Sequence, residues 1–240
     1  MEKWHIQNPK LLENIKTSLL EHFPDLKVFI ENEVVFIRGD LSLPESVDKF
    51  SIEIEFKDDY PDSVPVVKEI GGRIPHGERH TFTNGNCCLF VREEKWKHYP
   101  KGTKLIDFIN NVVIPYFLAQ TYFEITGQWL WGERGHGIYG ILEFYEEELK
   151  TNDIKLIVRF IEYLAKPTLK KYRICYCGSM KKLQNCHYQT LKIYRERISP
   201  ETAKDSLIML FSELKRIENL PVAGQHAPNQ NLSRQDIIST

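Results

Sequence analysis

Alternating apolar and polar side chains mark residues 50–57 as the clearest strand in the sequence. This alternation is typical of a strand in an antiparallel sheet that buries one face and leaves the other in solvent. Short extended segments at 26–30 and 34–38 precede it, and a further segment at 64–70 follows it. The pattern therefore predicts four strands in an antiparallel sheet.

Helical periodicity is present on both sides of these strands. Asn8 followed by Pro9 predicts the start of a helix, with Asn as its cap and Pro in its first turn. A second helix is predicted over residues 104–125, with Pro115 as a kink or break. Four more helical patterns cover residues 139–150, 154–164, 187–197 and 200–218. The order of helix, antiparallel strands and then helices predicts an α+β fold.

Two segments interrupt this periodicity and contain the residue types that carry chemistry. Residues 73–99 are rich in His, Asn, Gly, Cys and Trp, and the segment 127–140 contains two Trp residues and His136. Loops of this length inside a compact domain are usually functional. The end of the chain is polar and aperiodic, and we predict that residues 220–240 form a disordered tail.

Composition and charge divide the chain into modules. The 240 residues are 42% hydrophobic and 12% aromatic, which is enough to build a core and excludes a wholly disordered protein. Residues 1–149 carry 16 Lys and Arg against 25 Asp and Glu, a net charge of −9, whereas residues 150–197 carry 12 against 3, a net charge of +9. This reversal predicts one domain over residues 1–149 and a basic helical module over residues 150–219.

The cellular compartment is indicated by what the sequence lacks. The first residues do not form the apolar stretch of a signal peptide, and no apolar run is long enough to span a bilayer. We therefore expect a cytoplasmic protein with no membrane partner. The five cysteines agree with a reducing compartment, because their odd number and tight grouping disfavour a disulfide framework.

One group of cysteines has the composition of a metal site. Cys175, Cys177 and Cys186 are followed by His187, which gives three thiolates and one imidazole in a short segment. This set matches a closed tetrahedral Cys₃His site, and we expect zinc as a structural cofactor. A reactive or redox-active Cys-x-Cys pair is the alternative.

The residues around these ligands strengthen the zinc prediction. Gly178 allows backbone N–H groups to turn toward sulfur, while Lys181 and Lys182 offset the charge of three thiolates. The segment resembles the SEC-C motif, known from the C-terminus of the SecA translocase, and departs from it at Met180, where a second Gly is usual. The resemblance implies a protein-docking module. Its basic charge predicts an acidic partner, with protein favoured over nucleic acid.

The other cysteine pair lies among groups that a nucleophilic thiol needs. A reactive cysteine requires exposure, a lowered pKa and donors for a developing oxyanion. His76, His80 and Asn84 supply suitable side chains shortly before Cys87 and Cys88. Two histidines and two cysteines also fit a metal site, and a Cys-Cys pair also fits plain core packing. The local residues alone leave these interpretations open.

Longer motifs around this pair resemble the ubiquitin-conjugating enzyme family. Asn84-Gly85-x-x-Cys88-Leu89 is similar to the active-site turn of that family, and Trp96 falls where the family has a Trp before its next helix. The resemblance covers roughly residues 6–149 and includes two further segments, Phe56-x-x-x-Tyr60-Pro61-x-x-x-Pro65-x-Val67 and Leu105-Ile106-Asp107-Phe108-Ile109. It implies that residues 1–149 form a ubiquitin-conjugating (UBC-like) catalytic domain, in which helices flank the antiparallel sheet.

The resemblance also separates the two cysteines. Cys88 is followed directly by Leu89 and, eight residues later, by Trp96, so the family register implies that Cys88 forms the thioester. Cys87 is then a buried neighbour or a bystander, because cysteine packs well as a small apolar side chain.

One position departs from the eukaryotic members of the family. They carry His-Pro-Asn ahead of the cysteine, whereas this chain has His80 eight residues before Cys88. A histidine there, like the segment 127–137, resembles prokaryotic relatives found beside ubiquitin-like, activating-enzyme and antiphage genes. The resemblance implies that His80 orients or deprotonates the attacking group, or donates to the oxyanion.

Two further side chains near Cys88 have less certain roles. Asn84 joins Cys88 and His80 in the implied catalytic set, with a purely turn-forming role as its alternative. The role of His76 is open, and so is the choice between an isopeptide and an ester product.

The resemblance implies a bacterial conjugating enzyme of the ubiquitin-like type, in an antiphage operon. An activating enzyme would pass the C-terminal carboxyl of a ubiquitin-like modifier, or of an effector protein, to Cys88 as a thioester. Transfer to a protein target would follow, without an organic cofactor. The alternatives are a non-catalytic adaptor of the UBC fold and a cysteine hydrolase that pairs Cys88 with a distant His136. The oligomeric state is open and includes a homodimer.

Overall fold

The computed structural model describes residues 3–44, 48–130, 132 and 134–218, so the predicted tail at 220–240 lies outside the described residues. Packing divides the chain into two compact units. The first unit contains the residues up to Phe90 together with those from Glu94 to Gly132, and the second contains Val91–Glu93 together with the residues from Arg134 onward.

A four-stranded antiparallel sheet lies in the first unit. Each strand pairs with the next one along the chain, in the order β1 Leu26–Glu31, β2 Val34–Ser42, β3 Lys49–Glu55 and β4 Val66–Glu69. The predicted strands and the α+β class are confirmed, and the arrangement is compatible with a UBC-like domain. β2 is longer than predicted because residues 39–42 continue to pair with β3.

The sheet buries one face and exposes the other, as the alternation in residues 50–57 predicted. Ile52 and Ile54 are fully buried, whereas Glu53 between them lies on the opposite face. There Arg38 of β2 donates to Glu53 at 2.7 Å and to both carboxylate oxygens of Glu31 at 2.5 and 2.9 Å. Opposite charges therefore face one another across three neighbouring strands.

Helices pack against the buried face of this sheet and complete the core of the first unit. They are α1 Trp4–Gln7, α2 Pro9–His22, α4 Leu105–Phe108 and α5 Ile114–Thr126. The short helix α3 Lys95–His98 also belongs to this unit but buries no residue. The predicted cap of α2 is confirmed, because the Asn8 side chain accepts a hydrogen bond from the Leu11 N–H at 3.1 Å.

Pro115 does not break the helical segment in which it lies. It occupies the first turn of α5. Proline has no backbone N–H, and in the first turn of a helix that group has no partner within the helix. A π-helical stretch, Ile109–Val113, connects α4 to α5. The break predicted at Pro115 is therefore wrong, because the chain changes its hydrogen-bond pattern before the proline and stays helical through it. The kink stays a prediction.

The second unit is helical and has a hydrophobic core of its own. Its helices are α6 Ile138–Leu149, α7 Ile154–Ala165, α8 Tyr188–Arg197 and α9 Pro200–Glu218. Because α6 packs into this core, the unit begins at Arg134 by packing, before the charge reversal near residue 150. The functional division at 149/150 stays a prediction. None of the helices in the described ranges is long and apolar enough to cross a membrane.

We expect Gly39→Ala to destabilise the first unit. Gly39 lies in β2 with φ +147°, and an added Cβ would overlap the backbone carbonyl of Asp25. Since neither side of this contact is a flexible side chain, the free energy of unfolding should fall by about 2 kcal/mol or more. Urea unfolding of the variant measures this loss.

Ser42→Ala is the matched control, because Ser42 is exposed at the end of the same strand. Its unfolding free energy should stay within about 0.5 kcal/mol of the wild-type value. Equal stability of Gly39→Ala and Ser42→Ala would contradict the close approach at Gly39.

Candidate functional site

Backbone hydrogen bonds tie the loop that carries Cys87 and Cys88 to the edge of the sheet. The Cys87 N–H donates to the Val67 carbonyl of β4 at 2.7 Å. The Cys88 N–H donates to the carbonyl of His80, also at 2.7 Å. The cysteine pair therefore lies between β4 on one side and the segment around His80 on the other, and the predicted residues Cys88 and His80 are brought together.

The turn before the cysteines is built by Asn84 and Gly85. The Asn84 side-chain oxygen accepts a hydrogen bond from the Asn86 N–H at 3.1 Å, which is an Asx-turn. Gly85 has φ +81°, and an added Cβ would lie 2.7 Å from Nε2 of His76. The structure thus shows the turn-forming role of Asn84, and it places the exposed His76 ring against Gly85. A catalytic role for Asn84 stays a prediction.

The two thiols differ in burial and in pKa. Cys87 is 8% exposed, and burial raises the pKa of its thiol to about 12. Cys88 is partly exposed, and burial also raises the pKa of its thiol above the ordinary value. Cys88 is therefore the accessible member of the pair. Because its thiol is mostly protonated at neutral pH, its chemistry would need a proton acceptor.

His80 is held in an unusual backbone conformation. Both Arg79 and His80 have positive φ angles, +49° and +57°, which residues with a Cβ rarely adopt. The His80 ring makes an edge contact with Trp129, with ring centroids 4.6 Å apart. Trp129 in turn stacks on Phe123 at 4.6 Å. The backbone of His80 is therefore strained, and its imidazole is packed against Trp129.

Two polar residues of α5 reach this segment, and the sequence reasoning missed them. The Tyr116 hydroxyl donates to the His80 carbonyl at 3.0 Å. The Gln120 side-chain amide donates to the Arg79 carbonyl at 2.6 Å. Gln120 is a polar residue directly after the apolar run Phe117–Ala119, and this was the one available signal.

The predicted metal ligands converge in the second unit. The ligand atoms of Cys175, Cys177, Cys186 and His187 all lie within 4.8 Å of one another, so this cluster can hold a metal ion. The Cys177 and Cys186 sulfurs are 3.6 Å apart. His187 Nδ1 is 3.3 Å from the Cys175 sulfur and 3.2 Å from the Cys186 sulfur.

These distances fit the edges of a zinc tetrahedron. With Zn–S near 2.3 Å and Zn–N near 2.0 Å, tetrahedral geometry places sulfurs about 3.8 Å apart and sulfur about 3.5 Å from nitrogen. Burial raises the pKa of the Cys175 thiol to about 11. Burial also acts to raise the pKa of the Cys177 thiol, but hydrogen bonds with Ser179 and the neighbouring thiols lower it to about 6. A bound cation would favour the thiolate form of all three cysteines.

A short ribbon presents these ligands. The Cys175 N–H donates to the Lys181 carbonyl at 2.8 Å, which closes a tight loop between the two residues. Gly178 and Met180 in this loop have φ +77° and +59°. The left-handed backbone at Met180 is one that only glycine adopts without strain.

We expect Cys88 to be alkylated before Cys87. Iodoacetamide reacts with exposed thiolates, so Cys87→Ala, which retains Cys88, should react faster at this pair than Cys88→Ala. Because burial raises the Cys88 pKa, its reaction should accelerate at a higher pH than that of free cysteine. Mass spectrometry of the peptide that contains the pair measures both rates. Faster reaction at Cys87, or a Cys88 pH midpoint below that of free cysteine, would contradict this geometry.

Comparison with known proteins identifies the family. The model of the family described as Type II CBASS E2 protein, in which E2 denotes a ubiquitin-conjugating type, matches residues 16–137, half of the chain. This match contains the whole sheet, α5 and the loop with Cys88. No curated protein and no solved structure matches the chain. The chain therefore belongs to the Type II CBASS E2 family of E2-like conjugating proteins of antiphage defence.

Proposed function

We propose that this protein carries an acyl group as a thioester on Cys88 and transfers it to a target. The acyl donor is the C-terminal carboxyl of a ubiquitin-like modifier or of an effector protein, delivered by an activating enzyme. The observation that supports this most strongly is the family match around Cys88, the accessible thiol of its pair, which is hydrogen-bonded through its backbone to His80.

In the first step, the Cys88 sulfur attacks the carbonyl carbon of the thioester that links the donor to the activating enzyme. A new C–S bond forms at Cys88. The old C–S bond breaks, its electron pair leaves on the sulfur of the activating enzyme, and that thiolate takes up the proton from Cys88.

In the second step, an amine or hydroxyl of the target attacks the acyl group on Cys88. The C–S bond breaks, and the electron pair returns to the Cys88 sulfur. The attacking group must lose a proton, and the imidazole of His80 accepts it. The backbone hydrogen bond between Cys88 and His80 supports this assignment.

One observation favours a second candidate, a non-catalytic adaptor of the UBC fold. The raised pKa of Cys88 means that its thiol is not activated in isolation. An adaptor would form no adduct. The same observation argues against a cysteine hydrolase, because such a site needs a thiolate of lowered pKa.

Variants of the cysteine pair distinguish these functions. With the activating enzyme, ATP and the acyl donor of its own locus, the wild-type protein should form a covalent adduct that reducing agent cleaves. Cys88→Ala should form none, and Cys88→Ser should form an ester adduct that resists the reducing agent, provided that the serine accepts the acyl group. Non-reducing and reducing gels of the same reactions measure this.

Cys87→Ala is the matched control, since it removes the neighbouring buried thiol and should leave the adduct intact. A reducible adduct on Cys88→Ala would refute the assignment of Cys88. Absence of any adduct on the wild type, with an activating enzyme shown to be charged, would favour the adaptor.

We also propose that Cys175, Cys177, Cys186 and His187 bind one structural zinc ion. Their spacing fits the zinc tetrahedron, and no other group of the loop is needed to complete it. Bound zinc would supply a cross-link that neutralises the thiolates and joins the ribbon to the start of α8. The basic ribbon, with exposed Lys181 and Lys182, fits docking to an acidic protein.

Metal analysis tests the zinc site. The purified protein should contain about one zinc per chain, whereas Cys177→Ser should lose most of it and unfold at a lower temperature. Cys88→Ala is the control and should retain its zinc, because Cys88 is not in the cluster. Equal zinc content in Cys177→Ser and the wild type, or none in either, would contradict the site.

A further inference from the structure

α5 presents three polar side chains toward the segment that carries His80. Tyr116, Gln120 and Glu124 are spaced by four residues and therefore lie on one face of the helix. Each of them makes a hydrogen bond to Arg79 or His80. We call these three residues the α5 clamp.

The clamp acts on the one dipeptide near Cys88 whose backbone is strained. Arg79 and His80 both have left-handed φ angles, which cost free energy for residues with a Cβ. Two such residues in succession persist only when their surroundings hold them there, and strain of this kind is concentrated at functional sites.

Both polar ends of the Gln120 side chain make hydrogen bonds to Arg79. Its side chain is fully buried, its amide donates to the Arg79 carbonyl at 2.6 Å, and its carbonyl oxygen accepts from Arg79 Nε at 3.1 Å. Glu124 accepts from the same guanidinium at 2.9 Å. A buried amide satisfied at both ends fixes the backbone and side chain of Arg79 together, because breaking either bond would leave a buried polar group unpaired.

Tyr116 acts on His80 itself. Its hydroxyl donates to the carbonyl oxygen of His80 at 3.0 Å. That carbonyl oxygen also accepts a hydrogen bond from the Cys88 N–H at 2.7 Å. Burial raises the pKa of Tyr116 far above its ordinary value, so the hydroxyl keeps its proton at any working pH.

We propose that Tyr116 and Gln120 are positioning residues, which hold Arg79 and His80 in the left-handed conformation and so keep the His80 imidazole at the Cys88 thioester. This inference rests on the proposed function. Without the clamp, the dipeptide would relax to ordinary φ angles, and the imidazole would leave its contact with Trp129.

Loading is the transfer of the acyl group to Cys88, and discharge is its transfer from Cys88 to the target. Loss of the clamp should slow discharge more than loading. Loading needs the thiol and the incoming thioester, whereas discharge also needs a proton acceptor at the attacking group. Displacing a catalytic group by about 1 Å reduces a rate on the order of a hundredfold. Tyr116→Phe removes one hydroxyl and keeps the ring, so we expect discharge to slow by roughly tenfold and loading to change less.

A double-mutant cycle tests this. The thioester is formed on the wild type, Tyr116→Phe, His80→Asn and the double variant, and discharge to L-lysine is followed in single turnover across pH. Tyr116→Phe should weaken the same limb of the pH–rate profile that His80→Asn removes. The double variant should be no slower than His80→Asn, because Tyr116 acts through His80. Tyr122→Phe is the matched control, since Tyr122 is an exposed tyrosine of the same helix.

Two outcomes would overturn the clamp. One is wild-type discharge with an unchanged pH profile in Tyr116→Phe. The other is an equal slowing by Tyr116→Phe in the presence and absence of the His80 imidazole, which would indicate a merely structural role.

A second readout separates the clamp from the proposed function. If the wild-type protein accepts no thioester, the proposed function fails, but the His80 ring protons still report the clamp by NMR. The edge contact with Trp129 should shift their resonances in the wild type. Tyr116→Phe should move them toward the values of a free histidine, and unchanged resonances would refute the clamp.

Discussion

The carbonyl oxygen of His80 accepts two hydrogen bonds, from the Cys88 N–H at 2.7 Å and from the Tyr116 hydroxyl at 3.0 Å. Through the first bond the cysteine loop is joined to the segment with the strained backbone, and through the second that segment is joined to α5. The Cys87 N–H completes the connection by its bond to Val67 in the sheet. Sheet, loop and helix thus meet at one point, and the geometry around Cys88 depends on all three.

Local patterns in the sequence were sufficient to predict most of the fold. The alternation in residues 50–57 and the Asn8 cap depend on neighbouring residues, so their chemistry can be read along the chain. The conformation of Arg79 and His80 could not be predicted, because neither residue favours positive φ and the groups that impose it lie on α5. The role of Gln120 could not be predicted for the same reason, because it depends on the contact between α5 and Arg79 in the folded protein. The π-helical stretch before Pro115 is likewise a product of packing.

The two groups of cysteines obey different physical constraints. In the second unit, Cys175, Cys177 and Cys186 gather around His187 in a cluster that can hold a metal ion. In the first unit, successive residues of an extended segment point to opposite sides, so Cys87 is buried while Cys88 is accessible. The family resemblance implied from the sequence that Cys88, and not Cys87, forms the thioester. The burial of Cys87 favours the same assignment independently.

Site mapping of the acyl adduct tests the central claim most directly. The protein is incubated with its activating enzyme, ATP and acyl donor, digested without reducing agent, and the modified peptide is sequenced by tandem mass spectrometry. A thioester mechanism at Cys88 requires the C-terminal remnant of the donor on the Cys88 sulfur, with its loss on treatment with hydroxylamine. A remnant on Cys87 or on a cysteine of the metal cluster, or one that survives hydroxylamine on the wild-type protein, would contradict it.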